Sequence, residues 1–133
     1  MNQSENSQAD RHPALRGKGI LFVEDYEDVR RFVGRFLRKS GYAVFHASSP
    51  EEAVVLWKEH GASIDLLFTD VGAGGVRLTE TLIARAPELK VLFTSGSVHG
   101  AVAAMCAKNP SCRFLQKPYS SDELKSMLGK MLP

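Results

Sequence analysis

Four short stretches of the 133-residue chain place reactive side chains at the ends of apolar runs. Glu24 and Asp25 follow "GILFV", Asp70 follows "IDLLFT", Ser95 and Gly96 close "KVLFTSG", and Lys117 with Pro118 follows "CRFLQ". Taken singly, each is accounted for by a helix cap or a solvated turn. As a set they make coherent chemistry. Adjacent carboxylates repel unless a cation is present, and an all-oxygen donor set suits a hard ion that keeps several waters, namely Mg²⁺. A carboxylate can act as a nucleophile toward phosphorus and give an acyl phosphate. A cation, the Lys117 ammonium and the Ser95 hydroxyl would then hold the phosphoryl oxygens while charge spreads over them.

The elements that must position these groups alternate along the chain. Apolar runs "GILFV", "YAVFHA", "IDLLFT", "KVLFTS" and "CRFLQ" read as five strands, separated by five segments of helical spacing. Val29, Phe32, Val33, Phe36 and Leu37 fall on one predicted helix face, which Gly41 ends. Ser49, Pro50 and Glu52 open the second helix. The middle helices are expected over roughly residues 76–86 and 98–107. In the last helix Ser120 and Glu123 form a capping box, and Leu124, Met127, Leu128 and Met131 form the buried stripe. Near-continuous apolar strands imply a parallel sheet covered on both faces, hence a doubly wound five-stranded α/β domain. Its ligand site is expected beyond the carboxyl ends of the strands, where the strand order reverses.

Length and composition suit one domain with a substantial core: 44% of residues are hydrophobic and 24% charged. Residues 1–17 read as a disordered polar leader and 18–133 as the folded domain. Seventeen basic and fifteen acidic residues are interspersed for a net charge of +2, so no basic face indicates nucleic acid. Without a signal peptide or an apolar run long enough for a bilayer, the chain reads as cytoplasmic. Cys106 and Cys112 lack metal or redox spacing and are expected to be reduced, structurally bland thiols. Trp57 is expected in core packing, and His99 at an exposed helix start.

At these motifs the chain resembles the receiver domains of two-component response regulators, with the flavodoxin-like (βα)5 fold. "ILFVEDYEDVRRFV" carries the acidic pair, "DLLFTDV" the phosphoacceptor, "KVLFTSGS" the hydroxyl with its small neighbour Gly96, and "RFLQKPY" the lysine and proline. The wording "VLFTSG" and "FLQKPY" is similar to receivers associated with hybrid sensor histidine kinases. The resemblance implies that Asp70 accepts a phosphoryl group from a sensor histidine kinase or a histidine phosphotransfer protein. It implies Mg²⁺ on Asp70 and Asp25, on the Gly72 carbonyl, and on Glu24 through water. Ser95 and Lys117 would bind phosphoryl oxygens, Phe114 would be the aromatic switch, and Lys117–Pro118 would be a cis bond. The domain would catalyse only its own phosphorylation and dephosphorylation. It would act without DNA or membrane, through protein contacts on its fourth and fifth helices. The start at Met1 and the polar leader suggest a stand-alone chain.

One departure stands out. The connection after Asp70 is about three residues shorter than in relatives and lacks their proline, a tightening that asks Gly72, Gly74 and Gly75 for backbone angles glycine tolerates most cheaply. Two alternatives follow from other readings of that loop. One is a pseudo-receiver that binds partners without phosphorylation because the loop is defective. The other is a nucleotide or flavin binder, which "GAGGVR" fits poorly because it lacks the last glycine of G-x-G-x-x-G and follows the third strand.

Overall fold

A computed structural model describes residues 17–72, 74–97 and 100–133. The expected leader, apart from Gly17, and His99 lie outside them. Along the chain run β1 (Gly19–Val23), α1 (Glu27–Lys39), β2 (Ala43–Ala47), α2 (Pro50–His60), β3 (Leu66–Asp70), α3 (Gly75–Arg85), β4 (Lys90–Ser95), α4 (Gly100–Lys108), β5 (Cys112–Gln116) and α5 (Ser121–Met131). A one-turn 3₁₀ segment, Gly61–Ser63, follows α2. The strands form a five-stranded parallel sheet of order β2-β1-β3-β4-β5. Expected strands and helices therefore all form. Contacts divide the chain after Asp65 into two compact units.

In the first unit β1 and β2 run in register from Gly19↔Ala43 to Val23↔Ala47. Every residue of β1 is buried, whereas His46 of β2 is exposed and Phe45 half-buried. Continuous burial thus holds for an inner strand and lapses on one that ends the sheet order. In α1 the buried residues are Val33, Gly34 and Leu37. Two members of the expected core stripe, Val29 and Phe32, are instead 38% and 68% exposed. The i, i+3, i+4 pattern extended over two adjacent faces, and Val33, Gly34 and Leu37 define the one that packs. At the start of α2 the Ser49 hydroxyl accepts from the Glu52 N–H at 3.1 Å. The Glu52 carboxylate reaches past the cap and accepts from the N–H and hydroxyl of Ser48. Trp57 is half-buried, with its ring against Gly61.

In the second unit β3, β4 and β5 are in register, with Phe68↔Leu92 and Phe93↔Phe114 among the pairs. Phe68 and Phe93 are fully buried. β5 ends the order and is only partly buried, exposing Arg113 and Gln116 and burying Cys112 and Leu115. The capping box of α5 is present: Ser120 Oγ accepts from the Glu123 N–H at 3.0 Å, and the Glu123 carboxylate accepts from the Ser120 N–H at 2.8 Å. Leu124, Leu128 and Met131 are buried and Met127 is half-buried. The Lys90 ammonium donates to the Met131 carbonyl at 2.6 Å, giving the carboxyl end of α5 both a partner and a favourable charge.

α4 is described from Gly100, and Val98 and His99, where its start is expected, lie outside the described residues. One expectation fails here. Cys106 and Cys112, expected as separate thiols, are joined as a disulfide. The turn from α4 into β5 brings their Cα atoms to 4.7 Å, a juxtaposition that pair spacing alone does not show.

Among the described residues, Thr94 Oγ1 is buried without a hydrogen-bond partner. A buried hydroxyl in that state is destabilising relative to an isosteric methyl. We expect Thr94→Val to match or exceed the parent in thermal unfolding, by up to about 1 kcal/mol.

Candidate functional site

The carboxyl ends of β3, β4 and β5 hold three of the expected residues in one place. Asp70, the last residue of β3, stands opposite Thr94, and the Val71 N–H donates to the Thr94 carbonyl at 2.9 Å. On the other side of β4, the Lys117 N–H donates to the Ser95 carbonyl at 2.8 Å. Both ladders therefore continue one step past the strands, and the backbones at Asp70, Ser95 and Lys117 are set by the sheet.

Side-chain contacts build on that frame. The Lys117 ammonium lies 2.9 Å from Asp70 Oδ2, a charge-assisted hydrogen bond. Asp70 Oδ1 accepts from the Gly72 N–H at 2.8 Å, closing a short turn of the kind aspartates form two residues ahead. The Ser95 side chain is buried, with its hydroxyl accepting from the Ser97 N–H at 3.2 Å. Gly96 is exposed, and a Cβ there would meet open space. Phe114 is half-buried on β5, opposite Phe93. The Lys117–Pro118 bond is cis, as expected, and the Tyr119 ring that follows lies 6.3 Å from that of Phe68.

The three glycines after Asp70 prove to have different roles. Gly74 has φ +89° in the left-handed region and serves as the N-cap of α3. Gly75 is demanded by space: a Cβ on it would collide with the main-chain carbonyl of Asp70. Gly72 is required by neither. Its φ lies outside the left-handed region, and a Cβ would make an ordinary 3.6 Å contact with Asp70 Oδ1. The Gly72 carbonyl accepts from the Gly75 N–H at 3.1 Å, so the tight connection is closed by its own hydrogen bonds, with Leu78 N–H on the Gly74 carbonyl continuing into α3.

In the first unit the acidic pair ends β1. Glu24 is buried, and its carboxylate accepts from the Tyr26 N–H at 3.0 Å. The Arg30 guanidinium donates to the Glu24 carbonyl at 2.8 Å, and the Glu24 N–H donates to the Ala47 carbonyl at 3.0 Å. Asp25 is exposed. Beside it, Tyr26 is 73% exposed, and Val29 and Phe32 at the next turns of α1 are exposed as well.

All of the candidate donors are oxygens, the type a hard cation takes. In the second unit these are the Asp70 carboxylate and the Gly72 carbonyl, which has a second lone pair beyond the one Gly75 uses. In the first unit they are the carboxylates of Glu24 and Asp25. Among the described residues, no group of three or more His, Cys, Asp or Glu side chains forms a cluster able to hold a metal ion by itself.

A parallel (βα)5 sheet carrying an aspartate, a hydroxyl and a lysine at its strand ends defines a receiver domain of two-component signalling. The chain belongs to the response regulator receiver domain family, which it matches over residues 20–129. It is 33% identical over 116 residues to the sensor kinase CckA of Brucella abortus, covering 85% of this chain and 12% of the kinase. To the response regulator receiver protein CpdR of the same organism it is 31% identical over 118 residues, covering 86% of this chain and 97% of CpdR. The chain thus spans a small part of one relative and nearly all of the other. Among solved structures it is similar to the receiver domain of the hybrid histidine kinase CckA, with a TM-score of 0.71, 31% identity, and coverage of 86% of this chain and 99% of that one. The chemotaxis protein CheY4 of Vibrio cholerae, at 20% identity and a TM-score of 0.75 over 87% of this chain and 99% of that one, shares the fold.

The glycine assignments separate in a stability measurement. Gly75→Ala should cost at least about 2 kcal/mol in chemical denaturation, since the obstacle is backbone. Gly74→Ala should cost about 1 kcal/mol through left-handed strain. Gly72→Ala should stay within about 0.5 kcal/mol of the parent.

Proposed function

We propose that this receiver accepts a phosphoryl group on Asp70 and signals through protein contacts. The observation that carries the proposal is the Asp70–Lys117 hydrogen bond at the ends of β3 and β5, with the Ser95 hydroxyl at the end of the strand between them. A carboxylate oxygen of Asp70 attacks phosphorus of a phosphohistidine, the P–N bond breaks, and the imidazole leaves with a proton from water. Lys117, now on Asp70 Oδ2, takes a phosphoryl oxygen as its partner, and the Ser95 O–H donates to another. Gly72 N–H keeps the Asp70 side chain oriented by its bond to Oδ1. Mg²⁺, when bound, would offset charge on the phosphoryl oxygens, held by Asp25 and Asp70, by the Gly72 carbonyl and by Glu24 through water.

Ser95 is followed by the connection to α4, and Phe114 lies two residues before the end of β5. Drawing the Ser95 hydroxyl toward a phosphoryl group biases this segment and the position of Phe114, and a downstream partner reads α4, β5 and α5. The phosphodonor is a sensor histidine kinase or a histidine phosphotransfer protein. Tyr26, Val29 and Phe32 offer it exposed apolar side chains on and just before α1, where exposed Asp25, Asp28, Arg35 and the Glu27–Arg31 pair at 3.8 Å supply charges of both signs.

Incubation with Mg²⁺ and acetyl phosphate, followed by intact mass, should show one added phosphoryl group that disappears in Asp70→Asn and on removal of Mg²⁺ by chelation. No addition, or addition that survives Asp70→Asn, would overturn the proposal in favour of a module that binds without phosphorylation. Phe32→Asp should slow transfer from a phosphorylated histidine phosphotransfer protein by about tenfold or more while leaving labelling by acetyl phosphate unchanged.

A further inference from the structure

Cys106 lies in the last turn of α4, and Cys112 is the first residue of β5. We propose that these two residues form a reversible thiol–disulfide pair that tethers the end of α4 to the start of β5 in the oxidised protein and releases it in the reduced one.

Geometry carries the proposal. The two Cα atoms are 4.7 Å apart across a sequence separation of six, within the range a disulfide spans. The connecting turn is organised by hydrogen bonds that do not involve sulfur. Asn109 N–H donates to the Met105 carbonyl at 3.1 Å, Cys112 N–H to the Asn109 carbonyl at 3.0 Å, and Ser111 N–H to the Asn109 side chain at 2.9 Å. Ser111 in turn offers its carbonyl to the Val91 N–H at 2.9 Å, which anchors the turn to β4. The sulfurs are therefore presented to each other by the backbone whether or not they are bonded, the arrangement that favours an intramolecular exchange step. Access differs between them: Cys106 is half-buried and Cys112 only 1% exposed.

The chemistry follows that difference. The Cys106 thiolate attacks one sulfur of a low-molecular-weight disulfide such as glutathione disulfide, whose S–S bond breaks and releases one thiolate. The Cys112 thiolate then attacks the Cys106 sulfur of the mixed disulfide and expels the second thiolate. Two protein thiols lose two electrons in total, the small disulfide is reduced to two thiols, and the two protons pass to them. A dithiol of the same class reverses both steps. The tethered segment lies on the α4–β5 surface, so the bridge restrains the element through which the proposed phosphorylation signal is read. That last consequence rests on the function proposed above, whereas the redox pair itself does not.

The test uses the whole chain equilibrated in glutathione buffers from fully reduced to fully oxidised, acid-quenched, alkylated and read by intact mass. We expect a two-state passage from two alkylated cysteines to none. In oxidised buffer, Cys112→Ser should carry one glutathione on Cys106, and Cys106→Ser should acquire far less adduct on the buried Cys112. Hydrogen exchange over residues 100–108 should be faster in the reduced form. Two alkylatable cysteines throughout, a bridge that native treatment with dithiothreitol does not open, or identical exchange in the two forms would each overturn the proposal. Running the titration in Asp70→Asn as well keeps the outcomes separate. An unchanged redox transition in a chain that cannot be phosphorylated supports the pair on its own, and loss of the transition there overturns its independence from Asp70.

Discussion

A carboxylate at the end of a buried apolar strand has to meet compensating charge or hydrogen-bond donors, and Asp70 meets Lys117 and the Gly72 amide. Much of the second unit serves that encounter. Lys117 reaches Asp70 only because β4 holds β3 on one side and β5 on the other, with the ladders carried past the strands by Val71 and Lys117 N–H groups. The apolar interior, led by Phe68 and Phe93, fixes those strands, and the polar groups collect where the interior ends. The packing that buries the strands thus also sets the distance between the Asp70 carboxylate and the Lys117 ammonium.

The connection after Asp70 shows how a short loop can serve a site. The Asp70 carboxylate accepts from the Gly72 N–H, the Gly72 carbonyl accepts from the Gly75 N–H, and Gly74 is left-handed. Gly75 then lets the first turn of α3 approach the Asp70 carbonyl closely. Gly72 thus orients the carboxylate through its N–H while its carbonyl accepts from Gly75.

Surface chemistry is divided along the chain. In the first unit Tyr26, Val29 and Phe32 leave apolar area exposed beside Asp25. In the second, Cys106 and Cys112 join α4 to β5, close in sequence to Phe114.

Much of this was legible in the residues themselves. Hydrophobic periodicity marked all five strands and five helices, and Ser49, Ser120 and Glu123 marked caps that are present, because local hydrogen bonding and side-chain period are properties of short segments. Order and type of the strand-end groups marked Asp70, Ser95 and Lys117 as a set. Other features depended on packing across distance. Which of two adjacent faces of α1 is buried was settled by what Val33, Gly34 and Leu37 pack against, leaving Phe32 outside. Glycine composition could not separate Gly72, which space and φ leave unconstrained, from Gly75, which a distant carbonyl excludes from any side chain. The pairing of Cys106 with Cys112 likewise belongs to the turn between α4 and β5, since a bond between side chains requires their Cα atoms to be brought together and sequence spacing alone does not set that distance. Local chemistry was written along the chain, and contact between elements decided where that chemistry meets.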